Sequence, residues 1–467
     1  MKPLLLLEIN EIPWRVVDLY LKHPVGPNLG RFFSDAQTWT TVAVDTGELS
    51  PWVTWPSLHR GMSNEEHGVL NLGQDPATFR GTPIWEEYRR AGHSIGVCGS
   101  MQSWPPKDPG PGGFYIPDTF AHDERCIPSH VEPFQKFNLN QVRKNGRVVN
   151  TGSTLEGAWE LLRSLPSLGI RPKTALSVAR QLISERFDKS LAAKRPIFQT
   201  VLLWDVFKSL FDAAHPPAFS TFFTNHVAGV MHRYWNHVFP EDFGETPASK
   251  PMVHKATMDF AMLCTDKILG DAVEFQEANP DLIVVFATSM GQAAVHRDDH
   301  PGYEASIPDL PKLMRVMGVE TGEYKPLLAM VPQVAVGVAD APRRKLLKER
   351  LEKSHTVSGV KLFTVQEIGQ SLSITIKTPG KADADAGLFH AADSLEPCKW
   401  EQGGIAMVPV DPGTAYHIPE GVFAMRESGK TGSDARTKIP ADEVKGLLME
   451  SAGMRAVPAQ ADAAALG

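Results

Sequence analysis

The sequence predicts an α/β fold: a three-layer sandwich around a mostly parallel central sheet, carrying a helical insertion and a small α+β insertion. Three observations predict it. Short apolar runs without polar alternation, such as Leu4-Leu5-Leu6-Leu7 leading to Ile9, mark strands buried on both faces. Helix-like patterns alternate with these runs, as crossover connections between parallel strands require. The run Leu282 to Ala287, after Pro280-Asp281, has the composition of an interior strand.

After the first strand, Pro13 precedes a helix expected from Trp14 to before Pro24. A second strand is expected at Val42 to Val44, a helix over Ile84 to Ala91 closed by Gly92, and a short strand over Ser94 to Cys98. Residues 100–215 open with a Pro/Gly-rich stretch around Pro105 to Gly113. They continue with helix-like segments over Leu155 to Leu165 and Thr174 to Phe187, and so read as a helical insertion. Strand character returns at Ala218 to Thr224, followed by a long helix over Val253 to Glu277 and the strand at Leu282. Residues 332–378 read as a small α+β insertion, with a charged helix over Arg343 to Lys353. One domain over 1–455 and a disordered tail over 456–467 complete the expected organisation.

The chain has 467 residues, 22% of them charged, and a mean hydropathy of −0.19, as expected of a globular protein. Forty-seven Lys and Arg against 54 Asp and Glu give a formal net charge of −7, so no global positive field is available to hold a nucleic-acid polymer. No run reaches the roughly 20 apolar residues of a membrane span. The four cysteines form no CxxC pair and are expected to be reduced thiols in a cytoplasmic protein without a membrane partner.

The segment Thr54-Trp55-Pro56-Ser57 places a hydroxyl where a helix is expected to begin. The positive end of a helix favours both an anionic substrate and an alkoxide. Taken alone, an ordinary helix cap is the commoner role for such a threonine.

Three stretches together resemble the alkaline phosphatase superfamily, in its type I phosphodiesterase/nucleotide pyrophosphatase branch. The first is Leu5 to Glu11 followed by Gly26-Pro27-Asn28-Leu29. The second is Thr54-Trp55-Pro56-Ser57 followed by Gly61 and Glu66-His67-Gly68-Val69. The third is Asp281 to Gly291, with a late His417-Ile418-Pro419-Glu420-Gly421 completing the order. The resemblance implies a hydrolase of phosphate-ester or phosphodiester bonds, or of sulfate esters, with Thr54 as nucleophile. It implies divalent metal (Zn, Mn or Mg) held by some of Glu8, Asn10, Asn225, His226, His232, Ser289 and His417, and small-molecule or glycan-linked esters as substrates.

The metal positions depart from the family pattern. Asn10 stands where the first-strand Asp is expected, and Ser289-Met290 replaces a strand-end Asp-His pair. Neutral Ser and soft Met are poor partners for such ions, so fewer than two ions are expected. Glu8 lies two residues before Asn10, on the same strand face. His232 follows Asn225 by seven residues, with His226 directly after Asn225 as the rival ligand. A polar cluster, His296-Arg297-Asp298-Asp299-His300, lies just beyond the strand at Leu282, where a solvated polar loop is the commoner role and a further source of ligands the rival one. The alternative from another class is a catalytically degraded member that binds a ligand or serves assembly. Oligomeric state stays open.

Overall fold

The computed structural model describes residues 1–144, 166–246, 251–297, 299–330, 332–392, 394, 396–410 and 413–454. The helix-like segment expected over 155–165 and the expected tail lie outside these residues. The main sheet contains β1 (Leu4–Ile9), β2 (Ala36–Val42), β3 (Ile95–Cys98), β4 (Phe114–Ile116), β5 (Phe219–Thr224) and β6 (Ile283–Ala287), with strands Phe423–Arg426 and Ser433–Pro440. Across the sheet they run Ser433–Pro440, β2, Phe423–Arg426, β6, β1, β5, β3, β4. Only Phe423–Arg426 pairs antiparallel with its neighbours; the remaining pairings are parallel.

β1 is buried at every residue because both of its faces carry a core. Leu5, Leu7 and Ile9 pack with α1 (Trp14–Leu21) and α2 (Pro27–Ser34) on one side. Leu4 and Leu6 pack on the other with α3 (Pro51–Arg60), which the short α4 (Asn64–His67) follows, and with α5 (Ile84–Arg90) and the helix Val444–Ser451. Two helical layers thus enclose one sheet, and the alternation along β1 sends Glu8 toward the α3 side.

The second strand is β2, which ends at Val42 where the sequence suggested a strand beginning. Its sequence AQTWTTV alternates in burial rather than forming an apolar run, because it lies next to the edge of the sheet. The stretch 100–215 is not wholly helical: β4 adds an edge strand before α6 (Glu132–Lys144), α7 (Pro172–Phe187) and α8 (Arg195–Leu210). α9 (His226–Val238) and α10 (Met252–Ala278) then return the chain to β6. A third core extends from Ala305 to Ile405 and includes the helix Leu310–Val316, so the α+β unit is larger than the interval 332–378. Strands Tyr303–Ser306 and Ala406–Pro409 pair at its base. Among the described residues, no helix is long and apolar enough to cross a membrane.

Candidate metal centre

Parallel sheets collect functional groups at the carboxyl ends of their strands. Here Asn10 and Glu11 follow β1, Asn225 follows β5, and Ser289 lies just beyond β6. Immediately after β1 the backbone of Glu11 turns into the left-handed region at φ 63°. A side-chain-bearing residue pays about 1 kcal/mol or more for that conformation. The turn breaks the strand alternation, so Asn10 and Glu11 meet: Asn10 Nδ2 donates to Glu11 Oε1 at 2.7 Å and to Asn225 Oδ1 at 2.6 Å. Trp55 Nε1 donates to Asn10 Oδ1 at 2.8 Å, which fixes the amide orientation.

Two histidines face the other oxygen of Glu11. His232, on α9, has Nδ1 2.9 Å from the Ala415 carbonyl, and His417 has Nδ1 2.7 Å from that of Leu49. Carbonyls only accept, so both Nδ1 atoms carry protons and both Nε2 atoms present lone pairs when the rings are neutral. Those Nε2 atoms lie 3.1 and 3.4 Å from Glu11 Oε2. Lone pairs directed at a carboxylate repel unless a proton or a metal ion sits between them. The three ligand atoms lie within 4.8 Å of one another. Anchoring of Nδ1–H by a main-chain carbonyl is the usual support for a metal-ligating histidine.

Burial alone would raise the Glu11 pKa, but the hydrogen bonds and charges of His232 and His417 outweigh it and hold the carboxyl well below the usual carboxylate range. For His417, burial lowers the pKa, while the Glu11 hydrogen bond and charge overcome it and leave a net upward shift. A neutral-ligand pair with one carboxylate suits zinc or manganese better than magnesium, which favours all-oxygen shells.

Gln292 completes the pocket. It donates to Glu11 Oε2 and, at 3.2 Å, to the Ala228 carbonyl. In the ribbon formed by β7 (Gly291–Ala294) and the strand Ala415–Ile418, Gln292 lies directly opposite His417. The glycines flanking these residues are explained by close approach. A Cβ on Gly421 would overlap the Thr41 and Thr288 hydroxyls, and one on Gly291 would overlap the Glu420 carbonyl.

The other residues expected at the site are placed as follows. Glu8 and Asn10 do face the same side and meet α3 one turn apart, but Glu8 accepts from His59 at 2.7 Å in full burial rather than joining the histidines. His226 turns toward α10, where Nε2 donates to the Ala261 carbonyl at 3.1 Å and Nδ1 accepts from Thr224 Oγ1 at 2.8 Å. Both of its nitrogens are thereby used, and burial pushes its pKa down to about 4.

Thr54 is not a helix cap. It lies three residues into α3, where its N–H donates to the Ser50 carbonyl. Thr54 and Ser289 share a hydrogen bond of 2.7 Å between hydroxyls, and both are fully buried. Beyond β6, His296 packs on Phe243 and His300 stands 3.9 Å from Glu304, while Asp298 lies outside the described residues.

The motif residues Ser57 and His67 also meet, at 2.9 Å. His67 Nδ1 accepts from the Val69 N–H, so the neutral ring donates Nε2–H to Ser57, which donates in turn to Asp45. Burial holds the His67 pKa down at about 4. A ring donating to Ser57 cannot also serve as its base, so this trio ties α3 to the following turn and does not form a nucleophile.

Glu11 and Gln292 are the pocket residues that sequence reasoning missed. Alternation along β1 assigns Glu11 to the face opposite Asn10, and only the left-handed turn reverses that assignment. Gln292 carries no local signal; its partner across the ribbon is the clue, and that pairing is tertiary.

No family model and no curated protein matches the chain. Among solved structures, it is similar to murine ectonucleotide pyrophosphatase/phosphodiesterase 5 at 11% identity, over 98% of this chain and 96% of that one, with a TM-score of 0.41. The inactive murine form in complex with AMP aligns at 10% identity over the same shares, with a TM-score of 0.42. The human counterpart aligns at 12% identity, again over 98% and 96%, with a TM-score of 0.42.

Proposed function

We propose that this chain is a hydrolase of phosphate esters or phosphodiesters, with sulfate esters as the neighbouring substrate class, and that it works with one divalent ion held by Glu11, His232 and His417. The observation that carries the reading is the pair of imidazoles whose Nδ1–H groups are fixed by main-chain carbonyls and whose Nε2 atoms converge on one buried carboxylate. A divalent ion held there would supply positive charge to an ester's phosphoryl oxygen. Gln292 and Asn10 orient Glu11 by donating to it. His232, with 27% of its side chain exposed, gives the cluster its open side. A single ion is favoured over two because Asn10, Ser289 and Met290 bring no carboxylate to a second.

Thr54 is the hydroxyl assigned to attack, and to do so it must exchange its bond with Ser289 for substrate. The full burial of Thr54 favours a second reading, a ligand-binding protein without turnover. Hydrolysis of bis(p-nitrophenyl) phosphate by metal-loaded, chelator-treated and reloaded protein separates the two. Activity lost with the metal, regained on reloading and absent in Thr54→Ala supports the hydrolase. Full activity in Thr54→Ala removes its nucleophile role. No turnover by protein that retains bound metal establishes the second reading.

A further inference from the structure

Helix α7 (Pro172–Phe187) carries an apolar pole on its exposed side. A helix on a globular surface turns its apolar stripe inward. Here the fully buried positions are Thr174 and Glu185, with Glu185 paired to Arg195, and Val178 beside them is the half-buried apolar contact with the core. Leu176, Ile183 and Phe187 share the opposite pole and are 50%, 59% and 87% exposed. At 100° per residue, Lys173 and Arg180 fall on one side of that pole and Arg186 on the other, while past the helix end Asp188 and Lys189 offset each other. The inward turn of Glu185 leaves the outward face of the helix without an acid.

We propose that α7 is an interfacial helix that docks this protein on an anionic phospholipid surface. Apolar side chains at the pole enter the acyl boundary while flanking Lys and Arg reach phosphate headgroups, which is how such helices lie in the plane of a bilayer. Charge complementarity selects this occupant. The chain as a whole carries −7, yet this face is basic. A second copy packed helix against helix would set Lys173, Arg180 and Arg186 against the same groups, a like-charge arrangement.

The test uses the full chain. Co-sedimentation with vesicles of phosphatidylcholine alone, and with about one third phosphatidylglycerol, should show binding to the anionic vesicles only, with binding falling in high salt. Ile183→Ser with Phe187→Ser should weaken partitioning by about tenfold or more. Arg180→Gln with Arg186→Gln should weaken it by about 25-fold, near fivefold per charge. All four positions are solvent-facing, so the unfolding midpoint should stay close to that of the parent and verify the fold.

An environment-sensitive dye at Phe187→Cys, in a Cys398→Ser background, should emit as in water before vesicles are added and shift to the blue on anionic vesicles. No anionic binding, or equal binding by both double variants, overturns the proposal. So does a blue-shifted dye in the vesicle-free protein, which shows the face covered by this chain or a second copy. A dimer or a protein complex dissolved by the same substitutions, with vesicles ignored, assigns the face to protein and likewise overturns it.

Discussion

Replacement of His226 by Gln tests whether this residue belongs to the candidate metal centre or to the packing of α9 on α10. In the fold its pKa is pushed down to about 4 by burial, against about 6.5 in an unfolded chain. The neutral ring is the folded form, so its contribution is complete above pH 6.5 and is lost as pH falls toward 4. At pH 5 the unfolded imidazole is almost fully protonated and the folded one almost not at all. Linkage then gives a loss of about 2 kcal/mol between pH 7.5 and 5 from this residue.

Gln retains a donor for the Ala261 carbonyl and an acceptor for Thr224 but cannot titrate, so His226→Gln should lose about 2 kcal/mol less than the parent over that interval. His67 acts in the same direction in both proteins and cancels in the difference. Urea unfolding at the two pH values measures the quantity, and elemental analysis should show unchanged metal content. Identical pH dependence in the two proteins would refute the burial argument, and loss of metal would return His226 to the ligand set.

Glu11→Gln and His232→Ala should each lower zinc affinity in calorimetric titration by about 100-fold or more, since each removes a converging ligand atom; unchanged affinity would dissolve the centre. Glu8→Leu should cost about 3 kcal/mol in unfolding, because His59 is then left in full burial without its partner. Adding His59→Leu should recover part of that loss, and a double variant no more stable than the single one would contradict the pairing. Gly421→Ala should destabilise by about 1–3 kcal/mol and weaken metal binding as well, because the added methyl displaces the segment that carries His417; a neutral effect on both would show that the approach is not tight.

The sequence by itself determined the layered α/β architecture. Runs such as Leu4 to Leu7 and Leu282 to Ala287 are apolar on both parities, and only the interior of a helix-covered parallel sheet buries both faces. It also determined that Glu8 and Asn10 share a face, because alternation holds as long as the backbone stays extended. It failed for Glu11, where the chain leaves the strand at a positive φ and parity no longer applies. It left His226 and His232 undecided, since adjacency to Asn225 and membership of one helix say nothing about which ring turns toward α10 and which toward Ala415. Gln292 reaches the pocket only through its register opposite His417. Local patterns carry the periodicity of one element, whereas a cluster such as Glu11, His232 and His417 is written in the pairings between elements, and only the tertiary structure decides those.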